Sequence, residues 1–476
     1  MKELLNKISL ALLANIVGFI VSTIIILFVP KFINISEYAL FQLYVFYVGY
    51  IGFINIGWPE GIMLRFGGKK FDELDKNGLK TEIILFSSIV SIIGIIIILV
   101  AILYIETLTK FIWISVGLCI IIYLPRTFMQ VLLHMTNRVN EYSISIIIEK
   151  IVYLIGVLIL ILMGIKKYEL YIMAELLGRS FALIYISFKC KDILIAKGRK
   201  ISYEIHEIII NIKVGIKLML ANLAGLFIIG IVRQCIQIHW DIETFGKVSL
   251  TLSISNMLIV FIRAVAVVLF PRLKNMHKEK LSQLYKYIRI GLIVPLFALL
   301  VLYYPAKEIL SLWLPQYSES LYFMALLFPI CIYECKMSLL VETYMKALRM
   351  EKKLLNVNII TVILSIILSI LTIFALDNLE LGVLTILILV AFRCITSEIL
   401  LSKRLNINLV KDIIREIILV SLFILFNWKL GGIFGLIIYV IAYVIFLILN
   451  RKDIIYVSKN IINMMHNNLK ENDEKN

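Results

Sequence analysis

Three arginines carry the chemical argument in this chain. Arg233, Arg263 and Arg393 fall within long apolar runs, and none has an acidic residue three or four positions away. A charged side chain near the centre of a bilayer costs about 2.5–3.5 kcal/mol on insertion scales, so such groups face a bundle interior or a wet cavity. Each arginine therefore needs a partner on another helix, a polar cavity or an anionic ligand. Guanidinium stays protonated even when dehydrated, and its planar fork matches phosphate oxygens. An excess of cations in a cleft favours an anionic cargo.

Other ionisable residues share the apolar runs or their ends: Arg126, Glu149, Lys150, Glu175, Arg179, Glu334, Lys336, Glu342 and Glu398. Glu175 and Arg179 are four residues apart, a spacing that allows mutual neutralisation on one helix. Arg126 and Glu398 lie near the inner side, where snorkelling from a helix end would explain them. Glu149, Glu175 and Glu334 are the acids that a cationic cargo or a coupling ion would use.

Catalytic signatures are missing. The sequence has no phosphate-binding Gly-x-x-x-x-Gly-Lys-Ser/Thr loop and no Gly-x-Gly-x-x-Gly unit. Its five histidines sit in loops or at edges without the spacing of metal ligands, so no metal and no cofactor is expected. The six cysteines are scattered through apolar runs and read as small apolar residues. Movement of a substrate is a better expectation than chemistry on it.

The elements that position these residues are membrane helices. The chain is 61% hydrophobic and 17% charged, with a mean hydropathy of +0.97, against about 45–50% and about 25% for ordinary soluble domains. Fourteen segments are long enough to cross the hydrocarbon core: 8–29, 39–62, 82–104, 111–133, 142–164, 170–188, 212–236, 247–270, 288–304, 319–342, 355–376, 381–400, 411–428 and 431–449. The reading is thus an all-α polytopic membrane protein. With both termini inside, the inner loops and tails hold 29 Lys/Arg residues. The outer loops hold only Lys31, Lys110, Lys166, Lys167, Lys307 and Lys429. That asymmetry sets the expected orientation and accounts for the net charge of +16 without nucleic acid.

A repeat organises the helices. Residues 11–20, ALLANIVGFI, match residues 218–227, LMLANLAGLF, in the pattern Leu-Ala-Asn-x-x-Gly: Asn15 and Gly18 against Asn222 and Gly225, which with Pro59 are the candidates for helix packing or hinge bending. The offset of 207 residues covers six helices, and an even number gives a parallel repeat about the membrane normal. The expected divisions are a lobe at 1–210, a second lobe at 211–402, two extra helices at 403–450 and a polar tail at 451–476. Pro59 opens the second helix near its inner end by freeing a carbonyl at Asn55, the glycines beside it let the backbone bend or pack closely, and Trp58 suits the membrane interface at that end.

The run from Ala14-Asn15-Ile16-Val17-Gly18-Phe19, through Ser36-Glu37-Tyr38-Ala39-Leu40-Phe41 and Tyr50-Ile51-Gly52-Phe53, to GWPEGIMLRFGG at 57–68 resembles bacterial polysaccharide flippases. These belong to the multidrug/oligosaccharidyl-lipid/polysaccharide exporter superfamily. The resemblance covers nearly the whole chain in helix number and spacing, with its specific motifs in the first 70 residues. It implies two six-helix lobes around a central cavity plus two C-terminal helices. It also implies alternating access that carries a polyprenyl-pyrophosphate-linked oligosaccharide across the bacterial cytoplasmic membrane for surface polysaccharide synthesis. The implied partners are membrane lipids and the polysaccharide polymerase machinery, with sodium or protons as coupling ions in some relatives. On this resemblance Arg65 joins Arg233, Arg263 and Arg393 as a cationic cavity candidate. Glu60 departs from an anion route: it pairs with Arg65 or serves gating, as Glu149, Glu175 and Glu334 would. An ion-coupled drug or metabolite exporter of the same fold, and a structural component of an envelope-synthesis complex, are the alternatives.

Overall fold

The computed structural model describes residues 2–105, 107–257 and 278–456; Arg263 and the polar tail beyond 456 lie outside them. Every described element is helical, and twelve helices are long and apolar enough to cross a membrane. The two further expected spans are accounted for differently. Residues 242–257 form a helix whose continuation lies outside the described residues. The segment Val410–Ile424, continued by a π turn at Leu425–Leu430, starts with Lys411, Asp412, Arg415 and Glu416.

The chain forms two compact units, Met1–Leu250 and Thr251–Asn476. In the first, α1 (Lys2–Phe32), α2 (Ile35–Val48), α3 (Trp58–Phe66), α4 (Lys76–Tyr104), α5 (Thr107–Met135), α6 (Val139–Leu162) and α7 (Tyr168–Lys189) precede α8 (Ile201–His239). Helices α4 and α5 meet at Gly94 and Gly117, where a Cβ on either would lie 2.7 Å from the other's carbonyl oxygen. Small residues thus let the two backbones touch, the usual device where lipid removes the hydrophobic drive for helix pairing.

The 39 residues of α8 would span roughly 58 Å at 1.5 Å per residue, nearly twice the hydrocarbon thickness. Its first turns therefore extend beyond the core, and residue 210 lies within this continuous helix. Glu204, Ile208, Asn211, Gly215 and Met219 are buried at helical spacing. That stripe faces α3. Residues 201–211, expected as loop, are helical because they bury this face.

The second unit follows with the helix 242–257 leading into it, and then α10 (Leu281–Trp313), α11 (Ser320–Ala347), α12 (Glu351–Ala375), α13 (Leu379–Leu405), α14 (Val410–Ile424) and α15 (Gly432–Leu449); 242–257 is α9. Asn378 caps α13 by accepting from the Leu381 amide at 3.0 Å, and Asn406 ends it in the left-handed region. Three π turns, Met337–Val341, Ile370–Ala375 and Leu425–Leu430, interrupt helices of this unit.

The second helix departs from the expected 39–62. Helix α2 stops at Val48, a 3₁₀ turn covers Ile51–Asn55, and Ile56 and Gly57 adopt positive φ before α3 begins. Pro59 therefore sits in the first turn of a new helix, where its missing N–H costs nothing. It does not open a helix interior. Trp58 is 5% exposed, a core residue and not an interfacial anchor.

Candidate functional site

The four candidate arginines have different surroundings. Arg65, in the last turn of α3, donates from Nη2 to Glu207 Oε2 at 2.7 Å and from Nη1 to Asn211 Oδ1 at 2.6 Å, both on α8. Its acidic partner is Glu207. Glu60 does not pair with it, and the Glu60 Oε2 is buried without a hydrogen bond among the described residues. Arg393 on α13 donates from Nε to Asn358 Oδ1 at 2.9 Å and lies 3.5 Å from Glu334 and 3.8 Å from Glu342. The structure thus brings the candidates Arg393 and Glu334 together. Arg263 lies outside the described residues.

Arg233 is the exception. Its Nη2 donates to Ser249 Oγ at 2.7 Å, and its buried Nε has no hydrogen bond among the described residues. The guanidinium lies 4.8 Å from the centre of the Phe46 ring and 5.1 Å from that of Phe245. Ring faces stabilise a cation but do not neutralise it. No carboxylate pairs with Arg233 among the described residues. Helix α8 supplies it, α2 supplies Phe46, and the helix 242–257 supplies Phe245 and Ser249.

The neighbourhood is polar and aromatic. Tyr47 stacks on Trp113 with centroids 4.6 Å apart, and Tyr50 stacks on Phe227 at 5.4 Å. Gln234 Nε2 donates to Gln237 Oε1 at 2.8 Å. Gly230 makes room for Tyr50, since a Cβ there would fall 1.7 Å from the phenol oxygen. All of Tyr47, Tyr50, Trp113, Gln234 and Gln237 are half-buried. Half-exposed amides at this depth need water or a polar ligand, because lipid offers them nothing.

The acids Glu149 and Glu175 meet partners inside the first unit. Arg126 donates to Glu149, with both side chains under a tenth exposed, and Glu175 accepts from Arg179 at 2.5 Å, as its spacing predicted. Both guanidiniums lie 4.8 Å from the Tyr123 ring. Snorkelling does not explain Arg126 or Glu398. Both are buried, and Glu398 and Lys336 belong to a group whose other members, Arg289 and Glu416, sequence reasoning missed. Arg289 on α10 donates to Glu398 Oε1 at 2.8 Å and also to Glu416 on α14. Lys336 on α11 pairs with Glu398 and, at 2.6 Å, with Glu416. Arg289 was missed because it stands at the second residue of an expected span, where helix-end charges are common.

Asn15 and Asn222 are both exposed, and among the described residues nothing outside its own helix lies within 4 Å of a Cβ added at Gly18. Gly225 is half-buried. The close helix approach lies elsewhere. A Cβ on Gly57 would come 2.4 Å from the Ile216 amide nitrogen, one on Gly61 1.8 Å from the Asn211 carbonyl oxygen, and one on Gly215 1.9 Å from the Gly57 carbonyl oxygen. The GWPEG segment is therefore pressed backbone to backbone on α8.

No protein-family model and no curated protein matches the chain. Solved structures do. A structure described as lipid II flippase MurJ in an inward closed conformation is similar over 94% of this chain and 99% of its own, with a TM-score of 0.67 at 15% identity. An inward-facing multidrug resistance MATE family transporter of the MOP superfamily gives 0.59 at 13% identity over 82% and 98%. A MOP superfamily transporter from Pyrococcus furiosus, described as having a binding pocket of reverse polarity, gives 0.50 at 13% identity over 84% and 95%. The chain shares the all-α membrane fold of these solved structures, two of which are described as MOP superfamily transporters.

Proposed function

We propose that this protein carries a lipid-linked anion across the membrane, a polyprenyl-pyrophosphate-linked oligosaccharide destined for surface polysaccharide, by alternating access of two lobes. The lobes are residues 1–210 and 211–402, with 403–450 as an appendage. The observation that carries the reading is Arg233: a guanidinium with a free buried Nε, one hydroxyl partner and no carboxylate among the described residues. A diphosphate offers the charge and the paired oxygens this group lacks. The neighbouring Tyr47, Trp113, Gln234 and Gln237 offer ring faces and amides to the sugar. A solved flippase for lipid II, itself a lipid-linked cargo by its name, supports the choice within this fold.

A cationic drug is the weaker cargo. Glu149, Glu175 and Glu334 each already face an arginine. Arg263 stays a candidate beside Arg233; Arg65 and Arg393 have carboxylate partners and would have to exchange them for a phosphate.

The test is leaflet exchange of a fluorescent lipid-linked oligosaccharide in proteoliposomes. Arg233→Ala should slow exchange about tenfold, the value of roughly one charge-assisted hydrogen bond. Arg233→Lys should recover part of it, since it restores charge without the fork. Unchanged exchange in Arg233→Ala at matched protein levels would sink the assignment.

A further inference from the structure

A buried carboxylate in the first unit has no cation. Glu82, in the second turn of α4, is 4% exposed. Its Oε2 accepts from Trp58 Nε1 at 2.6 Å and from Asn211 Nδ2 at 2.9 Å. Both donors are neutral, and no ion pair reaches Glu82 among the described residues.

The surrounding charges are already engaged. From α3, Arg65 is held by Glu207 and Asn211, while Glu60 adds a second acid. Ahead of α8, Arg199 bridges Asp75 at 2.7 Å and Glu204 at 3.2 Å. Lys80, on α4 itself, donates to the Ala196 carbonyl at 2.5 Å. The exposed Lys191 and Asp192 lie on the short turn that packs against α4. Helix α5 presents the Phe128 ring beside Trp58 and Phe86, with its Arg126 on Glu149 and its His134 on Tyr142. Around Glu82, five carboxylates (Glu60, Asp75, Glu82, Glu204 and Glu207) thus stand against three cations (Arg65, Arg199 and Lys80). A dry site with surplus negative charge favours neutralisation by a proton over a standing charge.

We propose that Glu82 is a proton-binding site, and that its charge state sets how firmly α3 and α8 are held together. Ionised, one oxygen satisfies Trp58 and Asn211 together, and Asn211 in turn orients Arg65. Protonation by hydronium forms one O–H bond on the carboxyl and breaks one on the hydronium, leaving water. It turns an acceptor into a donor and removes the charge that shortens both bonds. Trp58 and Asn211 both use Oε2, so a proton on Oε1 leaves them an acceptor without its charge, and the weaker hold on Asn211 loosens the contact it makes with Arg65 between α3 and α8. Glu204, whose carboxylate oxygens would lie 3.0 Å from a Cβ at Gly78, one turn earlier on α4, leads from the half-exposed Arg199 toward this site.

The direct test needs no transported cargo, so it stands apart from the flippase reading. Trp58 reports on its own acceptor. Tryptophan emission of the purified full-length protein, followed from acid to alkaline pH, should show a one-proton transition. The transition should be lost in Glu82→Gln, which keeps the acceptor oxygen, and in Trp58→Phe. Infrared difference spectra of the unsubstituted protein across the same range should show a protonated carboxyl band that Glu82→Gln lacks. That measurement decides the matter even if one variant folds poorly. A flat titration with no carboxyl band, or a transition that persists in both variants, overturns the proposal.

Discussion

At the scale of residues, the sequence shows which charges lie at membrane depth but not which ones meet. Glu175 and Arg179 were legible because one helix turn joins them. Arg126 and Glu149 were not, since they lie 23 positions apart on different helices and only tertiary packing pairs them. A buried pair contributes little net stability but is costly to break, because the survivor keeps an uncompensated charge. Arg126→Met should therefore destabilise the detergent-purified protein by about 3–5 kcal/mol. Arg126→Met with Glu149→Leu should recover most of that loss. Thermal unfolding followed by size-exclusion chromatography reads both variants. Equal destabilisation in the single and double variants would show that packing at Arg126, and not its charge, holds this part of the first unit.

At the scale of elements, helix positions were readable from apolar runs, but close approaches were not. The repeat motif draws attention to Gly18 and Gly225, yet among the described residues no other element comes within 4 Å of a Cβ at Gly18. The glycines that matter are those of GWPEG and Gly215, which face each other across α3 and α8. No spacing rule in the sequence could join Gly61 to Gly215, because their contact depends on the left-handed Ile56–Gly57 step that ends the second helix early. That step also moves Trp58 from an expected interface position to a buried one. Gly215→Ala would place a methyl 1.9 Å from the Gly57 carbonyl oxygen and 2.3 Å from the Gly61 amide nitrogen. Backbone must move to admit it, so a loss of about 1–3 kcal/mol, or more, is expected. Gly18→Ala meets open space within a helix and should be neutral or stabilising by about 0.5–1 kcal/mol. Melting temperatures of the two variants side by side test the contrast. Similar values for both would contradict the backbone contact between α3 and α8.

At the scale of the whole molecule, composition and charge asymmetry already dictated a polytopic helical protein, and the membrane-transporter fold agrees with them. What they could not supply was the internal balance of each unit. In the second unit, Arg289, Lys336, Glu398 and Glu416 form a neutral group drawn from four helices. Glu416 ties α14 into that group, so this helix is bound by charge as well as by packing. The positive-inside asymmetry of the loops predicts the side of the membrane on which each group lies. If both termini are cytoplasmic, the segment after Met163 and the gap before α13 face outward, while Arg65 to Lys80 and Arg199 face inward. A cysteine placed at Lys166 should then react with a membrane-impermeant maleimide in intact cells, and one placed at Lys70 only after the cells are opened. The six native cysteines are buried or half-buried, which keeps the background low. The reverse labelling pattern would invert the orientation, and with it the side from which Glu82 and Arg65 are reached.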